Sequence, residues 1–241
     1  MVNLHILVEG QTEEQFVKKV LAGYLCDFDV FPDARIVETK RTRRVFGGKA
    51  TETVFRGGGT NYVKASSDLI RWMKERKEKN DYFTTMFDLY SLFFNFPGAE
   101  EAAKIADPRK RVEKLEASFK KDIKAKKDDP RFIPYIQLHV YEALLLSDPE
   151  KIGARFPGCA KEIKNLVALS NSFATPELIN DGADTAPSKR IIKEIPEYEE
   201  AKASAGPIIA EKIGIQKMME KCPHFREWVE RLKGLRPIGA T

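Results

Sequence analysis

The sequence predicts an α/β protein with a mainly parallel sheet that is flanked by helices. From Val2 to Val8, apolar residues alternate with Asn3 and His5, which is the period of two of a β-strand. An apolar stripe with helical spacing follows at once. Further strand-like segments are then separated by helical segments, and this alternation is typical of parallel sheets.

The first helix is expected to begin at Thr12, a favourable N-cap residue with Gln15 three positions later as its capping-box partner. Its buried face is formed by apolar residues at helical spacing, namely Phe16, Val17, Val20, Leu21 and Tyr24. The strand, the connection at Glu9-Gly10 and this helix therefore form one strand–turn–helix unit.

Three later segments rich in β-branched and aromatic residues are predicted as strands: 35–39, 82–87 and 132–138. One helix between them is expected to be capped by Thr60 or Asn61, and another to begin at Asp107-Pro108. The glycine triplet 57–59 is interpreted as a flexible connection, because no Lys-Ser/Thr pair of a P-loop follows it.

Two regions are expected along the chain. Residues 1–150 are predicted to form the α/β core, with a charged helical insertion near 99–129. Residues 151–241 are predicted to form a region of short helices packed on the core, because prolines such as Pro176 and Pro223 stand at positions that a first helical turn tolerates.

Composition excludes several classes of protein. No segment reaches the roughly eighteen consecutive apolar residues of a membrane helix, and the N-terminus lacks a basic leader, so a cytoplasmic protein with no membrane role is expected. Cys26, Cys159 and Cys222 stand far apart, which argues against a disulfide framework and against a structural zinc site. Any metal should therefore bind to oxygen ligands.

Basic residues are clustered in a chain whose net charge is +5. The clusters are 40–44, 109–111 and 120–127. Such runs are compatible with nucleic-acid binding, whereas a solvated surface is the alternative explanation of each run taken alone.

Acidic residues fall at the predicted carboxyl ends of strands. Glu9, Asp88 and the segment from His139 to Glu142 are each expected there, where ligands bind in open α/β sheets. Glu13 follows one helical turn after Glu9 and is expected to reach the same cavity. Carboxylate oxygens are the ligands that Mg²⁺ prefers. The alternatives are that Glu13 stabilises a helix N-terminus and that Asp88 is an ordinary turn residue.

Several segments resemble known proteins. The opening segment 8–16, VEGQTEEQF, is similar to the first motif of Toprim-like proteins, the domain shared by topoisomerases, primases and overcoming-lysogenization-defect nucleases. More closely, segments over nearly the whole chain resemble a bacterial Toprim-like family of unknown function, domain of unknown function 4276. These segments are TTMFDLY at 84–90, FPG at 96–98, FIPYIQLH at 132–139, YEALL at 141–145, APSKR at 186–190 and CPHF at 222–225.

The resemblance implies a Toprim fold and a nuclease that depends on Mg²⁺ or Mn²⁺. The implied metal ligands are Glu9, Glu13, Asp88 and Glu142, of which Glu9 and Asp88 hold the ion that activates a water molecule. Lys189 and Arg190 either stabilise the developing phosphoryl charge or form an exposed pair at a helix start. His139 is either a base or a packed histidine at a strand end.

Two departures from the family pattern lead to alternatives. Asp88-Leu89-Tyr90 stands where a typical Toprim domain has Asp-x-Asp, and Val140 stands where the family often has another acid. A site with fewer ligands or with one metal is therefore expected. The rival hypothesis is a non-catalytic module that binds nucleic acid or a partner, and nucleotidyl transfer is a third.

The resemblance also implies partners. Proteins of this kind are often encoded beside an ATPase of the ABC or SMC-like type, in loci that resemble anti-phage defence systems. We therefore expect the chain to act on DNA or RNA together with such an ATPase.

Overall fold

A five-stranded parallel sheet is the centre of the protein in this computed structural model. The structure describes residues 1–46, 49–56, 61–90, 92, 95–179 and 185–239, with the backbone alone for 39–46 and 49–56. The glycine triplet 57–59 and the side chains of the basic run 40–44 therefore lie outside the described residues.

The strands are β1 (Val2–Val8), β2 (Val30–Ile36), β3 (Glu38–Phe46), β4 (Lys49–Arg56), β5 (Asp81–Asp88), β6 (Phe132–Ile133) and β7 (Ile136–Gln137). The α-helices are α1 (Gln11–Phe16), α2 (Ala22–Cys26), α3 (Tyr62–Glu75), α4 (Ala99–Ala102), α5 (Pro108–Lys126), α6 (Glu142–Leu145), α7 (Ala160–Asn171), α8 (Pro187–Glu194), α9 (Tyr198–Ile213), α10 (Ile215–Lys221) and α11 (Pro223–Lys233). A π-helical turn (Val17–Leu21) joins α1 to α2, and Pro149–Ala154 and Pro176–Leu178 are 3₁₀ turns.

The strand order is β2-β1-β5-β6, and β7 also pairs with β5. Every pairing in this sheet is parallel, whereas β3 and β4 form a separate antiparallel pair. The predicted α/β class with a mainly parallel sheet is confirmed. Along the chain, the helix α5 connects β5 to β6, and it is the crossover that a parallel pair of strands requires.

Buried apolar residues form one cluster on each face of the sheet. Because side chains alternate along β1, they point to opposite faces of the sheet. Leu4 and Ile6 pack in the cluster with α1 and the C-terminal helices, whereas Leu7 packs in the cluster with α3 and α5. Phe225 of α11 belongs to the first of these clusters, so the C-terminal helices cover the α1 face. The division into two regions near residue 150 stays a prediction.

The predicted strand at 35–39 is wrong in its bounds. The strand β2 pairs with β1 from Val30 to Ile36, and β3 begins at Glu38. The sequence signal was obscured by Pro32, which is tolerated here because β2 is at the edge of the five-stranded sheet.

The predicted strand at 132–138 is present as two short pieces, β6 and β7. The interruption falls at Pro134, which has no N–H for the ladder. Beside it, the Thr85 hydroxyl donates to the Tyr135 carbonyl at 2.8 Å and accepts from the Tyr135 N–H at 3.1 Å. One side chain thus replaces the missing backbone pairing and keeps this segment beside β5.

Candidate metal site at the carboxyl edge of the sheet

Glu9 and Asp88 lie next to each other at the carboxyl edge of the sheet. The strands β1 and β5 are adjacent and parallel, with Val8 opposite Met86. Glu9 follows the end of β1, while β5 continues to Asp88, which pairs with Gln137 of β7. The Asp88 backbone N–H donates to Oε1 of Glu9 at 3.1 Å. The parallel register therefore brings together two acids that are 79 residues apart.

Glu13 reaches the same edge from the first turn of α1. The N-cap of this helix is Gly10, so the predicted cap at Thr12 is wrong. The backbone N–H groups of Glu13 and Gly10 donate to the Glu13 carboxylate, which is the N3 half of a capping box. A β-carbon on Gly10 would lie 3.1 Å from Oε2 of Glu13, so glycine leaves room for this carboxylate in its present position.

Glu142 arrives from the other side, at the start of α6. His139 precedes it with a φ of 66°, a left-handed conformation that His adopts more readily than most residues. The His139 carbonyl accepts from the Tyr90 N–H at 3.0 Å, which ties this turn to the segment after β5. The chain then turns into α6, where Glu142 is 6% exposed.

The helix α9 supplies residues that sequence reasoning missed. The Tyr198 hydroxyl donates to Oε1 of Glu142 at 3.4 Å, and Lys202, one turn later, places a positive charge near the same carboxylate. A β-carbon on Gly206, a further turn on, would lie 3.1 Å from Cε1 of Tyr141. The spacing of four between these α9 residues was the available signal, but it indicates only a shared helix face.

Three of the four acids, Glu13, Asp88 and Glu142, have raised pKa values. Burial raises the pKa of Glu13 to about 7, and repulsion by Glu9 and Glu142 adds to the rise. Burial also raises the pKa of Asp88 well above its usual range, reinforced by the charges of the other three acids. The pKa of Glu142 is raised by burial, whereas Lys202 and the Tyr198 hydroxyl oppose the rise. The cluster therefore favours bound protons or a bound cation.

Two buried oxygens at this edge have no hydrogen-bond partner. They are Oδ1 of Asp88 and the hydroxyl oxygen of Tyr141. Asp88 as a whole is half-buried, but its Oδ1 is shielded from solvent, while the Tyr141 N–H donates to the same carboxylate. A buried acceptor without a donor costs about 1 to 3 kcal/mol, so an incoming cation or donor would be stabilised here.

The donor chemistry of the four acids fits a hard divalent cation. Among the residues that the structure describes, however, no three Asp, Glu, His or Cys side chains are arranged to hold one ion directly. Mg²⁺ usually keeps several waters and contacts one or two carboxylates. Glu9 and Asp88 would therefore be direct ligands, with Glu13 and Glu142 acting through water.

Other predicted residues lie in different surroundings. Lys189 is exposed near the start of α8, and Nε of Arg190 donates to the Thr185 carbonyl at 3.2 Å. Within the described ranges, neither cation contacts the four acids. The side chain of Tyr90, which was predicted to replace the second Asp of the Toprim pattern, is 48% exposed. His139 is buried, so its role as a base or as a packed residue stays open.

The fold and this edge define an α/β protein with a cluster of buried and half-buried acids at the carboxyl ends of two central parallel strands. A model of the family described as Domain of unknown function (DUF4276) matches residues 8–233. The chain therefore belongs to this family. No curated protein and no solved structure matches it. Across the described residues, no helix is long and apolar enough to cross a membrane.

Proposed function

We propose that the protein is a nuclease that depends on Mg²⁺ or Mn²⁺ and hydrolyses phosphodiester bonds. The observation that supports this most strongly is the convergence of Glu9, Glu13, Asp88 and Glu142 at the carboxyl edge, with raised pKa values for the last three. Acids held against their own repulsion indicate a functional site. The similarity of segment 8–16 to the Toprim opening motif supports the choice of reaction.

The residues of this chain would divide the work by position. Glu9 and Asp88 would hold the cation, and Glu13 and Glu142 would orient the waters around it. When bound, such an ion polarises a phosphate and lowers the pKa of a water molecule. From α9, the Tyr198 hydroxyl donates a hydrogen bond to Glu142, and the charge of Lys202 partly balances the negative charge of the cluster.

A non-catalytic module that binds nucleic acid or a partner is the second candidate function. Two observations favour it: the described acids do not form a closed set of three ligands, and the exposed Tyr90 replaces the second Asp of the Toprim pattern. Partnership with an ABC or SMC-like ATPase and a role in anti-phage defence are part of the proposal and rest on the family resemblance.

Metal binding and cleavage separate these functions. Calorimetric titration with Mn²⁺ should show binding to the wild type that is lost in Glu9→Gln and Asp88→Asn. Cleavage of labelled DNA and RNA should fall by about 100-fold or more in both variants, because the loss of even an outer-shell partner costs about 10- to 100-fold. The matched control is Glu211→Gln, which changes an exposed acid on α9 and should leave both measurements unchanged.

The results have distinct meanings. Cleavage at wild-type rates in Glu9→Gln and Asp88→Asn would refute the nuclease site. Specific Mn²⁺ binding without cleavage, in assays with and without the ATPase, would favour the non-catalytic module. Incorporation of labelled nucleotides would indicate nucleotidyl transfer instead of hydrolysis.

A further inference from the structure

Positive charge is concentrated on the helix α5. This helix carries eight Lys or Arg residues and three acids, so its net charge of +5 equals that of the whole chain. The sequence shows two basic runs here, 109–111 and 120–127, without indicating which of their side chains remain available. The structure separates the paired cations from the unpaired ones.

Several cations of these runs already have partners. Arg109 pairs with Glu113 and Glu227, and the Arg111 guanidinium donates to the Ile105 carbonyl. The other paired residues are Lys126 with Asp122, Lys127 with Asp129 and Lys124 with Asp128.

Lys110, Lys114, Lys120 and Lys121 remain on α5. Lys120 projects from a different side of the helix, and we call Lys110, Lys114 and Lys121 the lysine stripe. All three are exposed, and within the described part of the chain they have no ion pair or hydrogen bond from their side chains. Their separations of four and seven residues place them within about 40° of one another around the helix. They lie opposite the buried seam of α5, which consists of Val112, Leu115, Phe119 and Ile123.

The stripe begins on the side of the sheet where the acids lie. The helix α5 runs against the strands, because it connects the end of β5 to the start of β6. The Glu116 carboxylate accepts from the Ile136 N–H at 2.8 Å, while Phe119, further along, packs on Phe132 with ring centroids 5.0 Å apart. Lys110 and Lys114 therefore lie toward the carboxyl edge and Lys121 lies away from it.

We infer that the lysine stripe binds the phosphate backbone of a nucleic acid and leads it toward the carboxyl edge. This inference deepens the proposed function and rests on it for the identity of the polyanion. The stripe is about 16 Å long, which corresponds to about five base pairs of duplex. Charge complementarity without base recognition is sufficient for this contact.

An anionic membrane fits the helix less well. A helix that lies on a membrane inserts its apolar face among the lipids. The apolar face of α5 is instead buried against the sheet, and no large apolar side chain of α5 is exposed. The outer face offers charge alone, as a phosphate backbone requires.

The test is equilibrium binding of a DNA duplex of about 20 base pairs, measured by fluorescence anisotropy in EDTA between about 50 and 200 mM salt. The variant is the triple change Lys110→Gln, Lys114→Gln and Lys121→Gln. The matched control is Lys161→Gln, Lys164→Gln and Lys193→Gln, which removes three exposed lysines from α7 and α8. The stripe variant should bind at least about tenfold more weakly, and its salt slope should be smaller by about 2 to 3, whereas the control should lose much less.

Equal losses in the two triple variants would overturn the inference, because binding would then follow net charge alone. The inference would also be overturned if the stripe variant lost binding to phosphatidylserine vesicles but retained the DNA affinity of the wild type. Thermal melts would verify that both variants are folded. Since EDTA removes the metal, this test is independent of cleavage: a stripe-dependent DNA affinity in a protein that never cleaves would support the stripe and refute the nuclease. Cleavage that requires Glu9, together with cleavage and DNA binding that are unaffected by the stripe change, would support the nuclease and refute the stripe.

Discussion

The two ends of the central strand pair, β1 and β5, both carry buried acids but treat them in opposite ways. At the amino end, Asp81 accepts hydrogen bonds from Asn3 Nδ2 and His5 Nε2, both at 3.1 Å, and from the Glu78 N–H at 3.0 Å. Burial acts to raise the pKa of Asp81, but these donors outweigh it and lower the pKa. Burial in turn lowers the pKa of His5.

At the carboxyl end, Asp88 has the opposite surroundings. Burial raises its pKa, and the neighbouring charges of Glu13, Glu9 and Glu142 raise it further. One of its oxygens is buried without a donor. Burial acts to raise the pKa of both acids. The two acids differ because Asp81 is surrounded by hydrogen-bond donors, whereas Asp88 is surrounded by other carboxylates. The amino end is a satisfied network that stabilises the fold, whereas the carboxyl end costs stability and is suited to a ligand.

Breaking the amino-end network should give the largest effect. Asp81→Ala removes the acceptor for three donors and should lower the free energy of unfolding by about 3 kcal/mol. The stabilisation by Asp81 is present above about pH 4 and is lost as the pH falls through its lowered folded-state pKa. Urea denaturation at pH 7 measures the loss, with the exposed Asp27→Ala as control. A change no larger than that of the control would mean that the network is incidental.

Removing a charged carboxylate at the carboxyl end should raise the free energy of unfolding, whereas Asp81→Ala lowers it. The pKa of Glu13 is raised from 4.5 to about 7, so the folded state binds more protons and wild-type stability falls as the pH rises through this window. Glu13→Gln keeps an acceptor for the Gly10 N–H but cannot ionise. In metal-free buffer at pH 8, it should be more stable than the wild type by on the order of 1 to 3 kcal/mol, with the gain disappearing near pH 4. If the difference in unfolding free energy between the two proteins is the same from pH 4 to pH 8, the raised pKa of Glu13 is contradicted.

Contact between α9 and the carboxyl end should be sensitive to one methyl group. In Gly206→Ala, the added β-carbon meets the Tyr141 ring at 3.1 Å and Cγ2 of Thr12 at 3.4 Å, and we expect a net loss of about 1 kcal/mol. Gly23→Ala in α2 is the control, because nothing lies within 4 Å of its β-carbon. It should stabilise the protein by about 0.5 to 1 kcal/mol. Thermal melts that shift in the same direction in both variants would exclude close packing at Gly206.

The smallest effect is expected for Tyr198→Phe. Its hydroxyl donates to Glu142 across 3.4 Å, a long hydrogen bond, so its loss should cost less than about 1 kcal/mol. The pKa of Glu142 should rise, because one group that favours its ionised form is removed. Carboxyl titration followed by NMR measures this change. A pKa of Glu142 that does not move would show that Lys202 and the Glu142 backbone N–H oppose the effect of burial without help from Tyr198.

Local patterns were sufficient for much of the fold. The alternation in β1 and the start of α5 at Asp107-Pro108 were predicted, and the cap of α3 was narrowed to Thr60 or Asn61, of which Asn61 is the cap, because each depends on neighbours within a few residues. The segments that were predicted poorly have distant causes. Pairing with β1 extends the strand β2 through Pro32. At Pro134, the missing backbone pairing is replaced by hydrogen bonds from Thr85 of β5.

The candidate site divides in the same way. The sequence by itself determined that Glu9 and Asp88 end apolar strands, and parallel pairing then places such residues at one edge. Only the tertiary structure decided that Tyr198 and Lys202 of α9 face Glu142, that Gly10 makes room for Glu13, and that the lysine stripe is free while Arg109 is paired. These contacts join segments tens of residues apart, and their energies depend on burial and on neighbouring charge, which local sequence patterns do not contain.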